Sequence, residues 1–213
     1  SPVEMPWRDK ASAILWSYYA GMETGNAFAK IIFGDVNPSG KLAETFPKKY
    51  ADCATAKNGQ FGLWGKIRFE EGVYCGYRHH DRQRIAPAFC FGHGLSYTEF
   101  AYSGLTLKTE KGRDVKLSFT VKNTGKKSGS EIVQVYVAPI GAKVNRPDKE
   151  LKAYAKIELA PGKSGKVNLV LKQEDFAYFD EHLHAFISDE GDYEILVGAS
   201  CEDIRLRGIV TLS

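Results

Sequence analysis

Hydrophobic and polar residues follow two different rhythms along this chain. From about Tyr102 onward they alternate. Val115-Lys116-Leu117-Ser118-Phe119-Thr120-Val121 does so strictly, residues 132–137 set Val133, Val135 and Val137 on one face, and Leu151, Ala153, Ala155, Ile157 and Leu159 recur at period two. Residues 167–171, 191–198 and 204–210 continue the pattern, and Asn123-Thr124-Gly125 and Ala160-Pro161-Gly162 punctuate it. Period two is the spacing of side chains on one face of a strand. Six or seven such strands separated by turn signals predict an antiparallel β-sandwich of immunoglobulin-like type. The Cys…Trp…Cys core of antibody domains is absent, so a fibronectin-III-like variant fits better.

The earlier rhythm differs. Ala13-Ile14-Leu15-Trp16-Ser17-Tyr18-Tyr19 is a continuous apolar run, which predicts a strand buried on both faces as in a parallel sheet. Gly21 breaks it. Ala27, Phe28, Ile31 and Ile32 then recur at helical spacing within 23–33, and Gly34 stands where a helix C′ glycine belongs. Residues 35–40 are dense in turn chemistry, and residues 42–46 read as a short edge strand stopped by Pro47. One βα unit cannot bury its own faces. Residues 1–68 are therefore read as the end of an α/β domain, an incomplete α/β sandwich whose flank along 14–18 should be exposed. Residues 51–68 form an irregular connector, 69–101 a linking seam, and 102–213 the all-β sandwich.

Composition narrows the function classes. The chain has 213 residues, 43% hydrophobic and 26% charged, an ordinary globular balance. The formal charge of +3 is mild and no basic run or motif accompanies it, so no nucleic-acid partner is expected. No stretch of about 18 apolar residues predicts a membrane-spanning helix. Residue 1 is a serine, consistent with a processed or truncated piece. Cys53, Cys75, Cys90 and Cys201 form no CxxC and match no zinc spacing. Free thiols are expected, with a Cys53–Cys75 bridge as the alternative. Unpaired cysteines favour a cytoplasmic setting, and a secreted one stays open.

The densest chemistry lies in Phe69-Glu70-Glu71-Gly72-Val73-Tyr74-Cys75-Gly76-Tyr77-Arg78-His79-His80-Asp81, followed by Phe91-Gly92-His93-Gly94-Leu95-Ser96-Tyr97. Val73, Cys75 and Tyr77 alternate with Tyr74, Gly76 and Arg78, a strand-like pattern. Glu70 and Glu71 invite an acid/base reading, but neighbours on an extended strand point to opposite faces. An ion pair with Arg78 or Arg82 is the simpler role. Arg68, Arg78, Arg82 and Arg84 fit pinning of an irregular loop better than sugar binding. Adjacent His79 and His80 on extended chain diverge, which disfavours a metal site with Asp81 or His93. Ser96 lies outside its glycines, so no nucleophile elbow is present. Gly21 to Gly25 lacks the nucleotide-binding spacing. Trp16 is expected in the core. Trp64, in a glycine-rich loop, is a better sugar-stacking candidate than Trp7.

Several motifs closely resemble glycoside hydrolase family 3. They are Tyr18-Tyr19-Ala20-Gly21-Met22-Glu23-Thr24-Gly25-Asn26-Ala27, then Gly34-Asp35-Val36-Asn37-Pro38-Ser39-Gly40-Lys41-Leu42, Thr45-Phe46-Pro47, and residues 71–78 and 91–98. Residues 131–136 and 149–153 are similar to that family's fibronectin-III-like domain. The resemblance implies the C-terminal part of a retaining β-glycosidase, a β-glucosidase or β-xylosidase, giving structural and cleft-wall support. The implied partners are a β-glucoside or oligosaccharide substrate and the family's (β/α)8 barrel and remaining α/β region, in cis or as another chain. In that family the nucleophile is an Asp of the barrel and the acid/base usually a Glu upstream of the segment matching Ser1-Pro2-Val3. No catalytic, cofactor-binding or metal residue is therefore assigned here, and no cofactor is implied. Where this chain has His79, His80 and His93, the family often has aromatic rings, so ring packing is the implied role. The alternative function is a non-catalytic carbohydrate-binding or assembly module that acts with a separate catalytic chain.

Overall fold

The computed structural model describes residues 2–59, 62, 65–110 and 113–213. It divides into two compact units, Ser1–Tyr97 and Thr98–Ser213. The second is a β-sandwich. Its strands are β1 (Phe100–Thr109), β2 (Val115–Asn123), β3 (Gly129–Pro139), β4 (Glu150–Leu159), β5 (Ser164–Leu171), β6 (Tyr178–Asp180), β7 (Ala185–Ile187), β8 (Gly191–Gly198) and β9 (Ile204–Leu212). One sheet has the order β1-β2-β5 and the other β4-β3-β8-β9, and β6 and β7 form a separate hairpin. Every pairing is antiparallel.

Alternation selects the core. Val115, Leu117, Phe119 and Val121 of β2 point inward, as do Val133, Val135 and Val137 of β3 and Tyr193, Ile195 and Val197 of β8. Leu159, Val167, Leu171, Phe176 and Leu212 complete one cluster. Ala153, Ala155 and Ile157 of β4 pack against it, as their spacing predicts. Where the two sheets meet at their edges, glycines admit the opposing side chains. A Cβ on Gly208 of β9 would press on Leu107 of β1, and one on Gly165 of β5 would press on Ile157 of β4.

A buried asparagine holds one end of the sandwich together. Asn123, fully buried, ends β2. Its Oδ1 accepts from Thr98 Oγ1 at 2.6 Å and from the Gly125 amide at 3.0 Å. Its Nδ2 donates to the carbonyls of Lys127 at 2.8 Å and Leu159 at 2.9 Å. Its backbone amide donates to Lys163. One side chain thus satisfies two donors and two acceptors from different loops, in a place water does not reach. The sequence marks Asn123 only as a turn residue.

The first unit is built otherwise. α1 (Thr24–Ile32) follows the apolar period, with Phe33 as its C-cap and Gly34 at φ +80 beyond it. α2 spans Ala54–Lys57 and α3 spans Tyr77–Gln83, with 3-10 turns at Arg8–Lys10 and Tyr50–Asp52. Three expectations are corrected. Residues 13–19 form no strand, because no neighbouring strand of this chain is there to share a ladder, and Tyr18 takes φ +50. Residues 42–46 contribute a single antiparallel bridge, Phe46 to Phe89. Residues 73–77 are turn and helix start rather than strand, because Gly76 at φ +56, ψ −130 turns the chain into α3.

The exposed flank is present and wider than expected. α1 has no buried residue, and Tyr19, Met22, Ile32 and Phe33 all face outward. The amphipathic stripe formed as its period dictates, but the described residues cover it only in part: Phe28 and Ile31 are half-buried, while Ala27 and Ile32 stay exposed.

Asn123→Asp tests the staple. A carboxylate keeps the acceptors but removes both Nδ2 donors, so the Lys127 and Leu159 carbonyls lose their partners and face a negative charge. The expected loss is roughly 2–4 kcal/mol in the denaturant unfolding of the sandwich. A loss under about 0.5 kcal/mol would show that the asparagine is replaceable.

Candidate functional site

The charged stretch occupies two structural settings. Residues 69–74 form consecutive tight turns, with the Gly72 amide on the Phe69 carbonyl at 3.2 Å and the Tyr74 amide on the Glu71 carbonyl at 3.0 Å. Glu70 and Glu71 therefore sit on a turn, not on opposite faces of a strand. Glu70 is exposed, while Glu71 is half-buried with its Oε2 shielded and without a hydrogen-bond partner. No carboxyl pair sharing a proton is formed.

Tyr77-Arg78-His79-His80-Asp81-Arg82-Gln83 is α3. Arg78 lies 5.8 Å from the Tyr77 ring centre and Arg82 lies 5.6 Å from that of Tyr74, so both guanidinium groups cover aromatic faces. Arg84 closes the helix at φ +53 in the left-handed region. The Ile85 amide donates to the His80 carbonyl at 3.0 Å, and His80 Nδ1 lies 2.9 Å from the Ile85 carbonyl. A carbonyl can only accept, so the Nδ1 of His80 carries the proton.

His79 and His80 were expected to diverge on extended chain. Instead both are buried on the helix with their rings edge to face at 5.8 Å. Burial, then the neighbouring His80 and Lys57, holds the His79 pKa below the usual imidazole value. His79 Nε2 is buried without a partner, so the neutral ring suits the site. Among the described residues no group of three His, Cys, Asp or Glu side chains is placed to hold a metal ion. His93 packs its ring 5.4 Å from Phe89, and burial, then Lys41, lowers its pKa. Tyr77 stacks on Phe91 at 4.8 Å.

The structure explains the two motifs that stood out in the sequence by bringing them together. Residues 37–46 run beside residues 88–97. The Leu42 amide donates to the His93 carbonyl, the Gly92 amide to the Leu42 carbonyl and the Phe46 amide to the Phe89 carbonyl, each at 2.8 Å. Asn37 Oδ1 accepts from the Tyr97 amide at 2.8 Å and from Ser96 Oγ at 3.0 Å. Tyr97 Oη donates to the Ile31 carbonyl at the end of α1, and Lys41 Nζ to the Gly94 carbonyl at 3.2 Å. The backbones approach so closely that a Cβ on Gly94 would overlap the Gly40 carbonyl oxygen. Ser96 is thus a clamp residue that donates to Asn37.

The aromatic candidates separate. Trp16 packs edge to face on Phe46 at 5.1 Å and on Tyr18 at 5.6 Å, and its buried Nε1 has no partner. Trp7 is half exposed. Trp64 lies outside the described residues. None of the four cysteines is in a disulfide, so the Cys53–Cys75 bridge is not formed. Cys53 is partly buried, and burial, then Asp52 and Glu4, raises its pKa, which keeps it a thiol.

Comparison with known proteins places both units. Residues 1–97 match the description "Glycosyl hydrolase family 3 C-terminal domain", and residues 131–201 match "Fibronectin type III-like domain". A beta-glucosidase of Rhizobium radiobacter is 45% identical over 96% of this chain and 26% of that protein. The thermostable beta-glucosidase B of Acetivibrio thermocellus is 42% identical over all of this chain and 28% of that protein. The chain thus spans about a quarter of the length of these relatives. The structure of beta-glucosidase 3B from Thermotoga neapolitana in complex with glucose superimposes with a TM-score of 0.92 at 38% identity, over 99% of this chain and 30% of that one.

Two measurements test the site. Gly94→Ala forces the two clamped segments apart and is expected to destabilise the first unit by about 1–3 kcal/mol, read by hydrogen exchange at the Leu42 and Gly92 amides. Wild-type exchange rates in the variant would refute the clamp. A lowered His79 pKa means that the folded state favours the neutral ring. Its contribution is complete above about pH 6.5, the unfolded value, and falls as pH drops below it toward the folded value. Thermal melting of the first unit should therefore decline below that pH, and His79→Phe should flatten the decline.

Proposed function

Because this chain belongs to glycoside hydrolase family 3 and carries its C-terminal part, we propose that it serves as the supporting portion of a retaining β-glycosidase, of β-glucosidase type, acting on terminal non-reducing β-D-glycosyl residues. In this reading residues 1–68 complete the α/β sandwich domain, residues 69–101 link it onward, and residues 102–213 form a stabilising sandwich. The substrate is a β-glucoside or oligosaccharide. The nucleophile and the acid/base come from the barrel and the remaining α/β region, in cis or as another chain.

The observation that carries the reading is continuous similarity. The chain aligns with beta-glucosidases over 96–100% of its own length, through both units and in one order. The incompletely covered apolar side of α1, with Ile32 and Phe33 exposed, agrees with it, since a helix flanking an α/β sheet buries such a side against strands. The site geometry agrees as well. A retaining mechanism uses two carboxyl groups about 5–5.5 Å apart, whereas Glu70 is exposed, the shielded Glu71 Oε2 has no hydrogen-bond partner and the nearby histidines are packed as rings.

Residues 1–213 alone are expected to leave p-nitrophenyl β-D-glucopyranoside intact. A longer polypeptide carrying the barrel is expected to hydrolyse it with β-glucose as the first product by NMR. In that longer enzyme Glu71→Gln should change kcat by less than about 10-fold, against the 10²–10⁴ of a general acid. Hydrolysis by residues 1–213 in a preparation whose intact mass shows no second polypeptide would overturn the assignment.

A further inference from the structure

The two outer faces of the sandwich treat charge differently. On the four-stranded sheet, basic side chains meet acids. Arg207 pairs with Glu194 at 3.2 Å and Arg205 with Asp203 at 2.7 Å. On the outer face of the β1-β2-β5 sheet, the ladder register places four lysines and no acid: Lys108 on β1, Lys116 and Lys122 on β2, and Lys166 on β5. Lys108 and Lys116 stand directly opposite one another, an arrangement that repulsion disfavours. Glu110, beyond the end of β1, bridges them at 2.9 and 3.6 Å. Lys122 and Lys166 have no acidic partner among the described residues.

Lys108 and Lys116 border a groove of about 540 Å³, and Lys122 and Lys166 lie farther along the same sheet face. Thr106, Ser118 and Asn168 cross it in one register row over three strands. Thr106 Oγ1 and Ser118 Oγ are 2.7 Å apart and share a hydrogen bond, and Asn168 is exposed. The groove therefore offers short hydroxyl and amide groups beside the Lys108 and Lys116 ammonium groups. No aromatic ring lies in it for base stacking, and no arginine for a bidentate phosphate contact. Its one exposed aliphatic side chain, Val170, is too little to enter a membrane.

We propose that the outer face of the β1-β2-β5 sheet binds a uronate-bearing polysaccharide. The lysines take the carboxylates, and the Thr106–Ser118–Asn168 row takes the sugar hydroxyls. The proposal rests on the chemistry of this face alone and not on the proposed glycosidase role.

The test is affinity electrophoresis and calorimetry of the whole chain with polygalacturonate. Binding is expected at low ionic strength and should vanish near 1 M salt, where the Debye length is about 3 Å. A Lys116→Gln, Lys122→Gln, Lys166→Gln triple variant should lose about 10-fold or more in affinity. Ser118→Val keeps the lysines and suits a strand, and it should weaken polygalacturonate binding several-fold without changing retention by DNA. Unchanged melting temperatures would establish that both variants fold. The proposal fails if polygalacturonate is not bound at low salt or if the triple variant binds as wild type. It also fails if double-stranded DNA or phosphatidylserine vesicles bind as tightly, since the face would then be an unselective cationic patch.

Discussion

A buried backbone amide or carbonyl without a partner costs about 1–3 kcal/mol, and that constraint shapes both units of this protein in different ways. In the sandwich, ladders satisfy it almost everywhere, and Asn123 satisfies it where β2 ends and ladders stop. In the first unit ladders are nearly absent. The backbone of residues 37–46 finds its partners in residues 88–97 through loop-to-loop bonds and one amide side chain, Asn37. Loops that must touch along their backbones need a residue without bulk at the crossing, which is why Gly94 stands against the Gly40 carbonyl. The residues that make these motifs distinctive are thus residues of contact.

This also explains what could be read from the sequence. Alternation over residues 115–121, 132–137 and 150–159 is a local signal whose consequence, a two-sided core, is realised within the same unit. Those strands appear where the pattern put them. The helix over Thr24–Ile32 is equally local, with its period and its Gly34 stop both visible. Residues 13–19 have strand composition, but a strand exists only with a neighbour, and sequence pattern does not supply one. Residues 73–77 alternate by coincidence. The deciding fact is the backbone of Gly76, whose positive φ turns the chain into α3. That one turn also moves His79 and His80 from diverging positions to a buried, touching pair. Asn123 carried no signal beyond turn chemistry, because its four side-chain bonds come from segments up to 36 residues away.

The density of acids, arginines and histidines between residues 69 and 97 suggests catalysis when read as a string. In three dimensions these charges are spent locally. Arg78 and Arg82 lie over tyrosine rings, Lys41 bonds the Gly94 carbonyl, and His93 packs on Phe89. Each contact fixes an irregular segment that has no ladder to hold it. Lowered imidazole pKa values at His79 and His93 follow from the same packing, since burial is the first cause of both. The depressed pKa here records enclosure, and among the described residues His79 Nε2 has no hydrogen-bond partner.

Unspent charge is the more informative kind. A lysine bridged to an acid adds little to stability at a surface, and a lysine directly opposite another weakens a sheet. The outer face of β1-β2-β5 nonetheless keeps Lys108 opposite Lys116, with Glu110 placed off the end of the strand rather than among them. Glu110 relieves that pair, as Glu194 does Arg207 on the other sheet, whereas Lys122 and Lys166 meet no acid among the described residues. Folding therefore gives no reason for a lysine face without acids. A polyanion lying along the hydroxyl row and on toward Lys122 and Lys166 would supply the missing negative charge, and the groove bordered by Lys108 and Lys116 is where it would start.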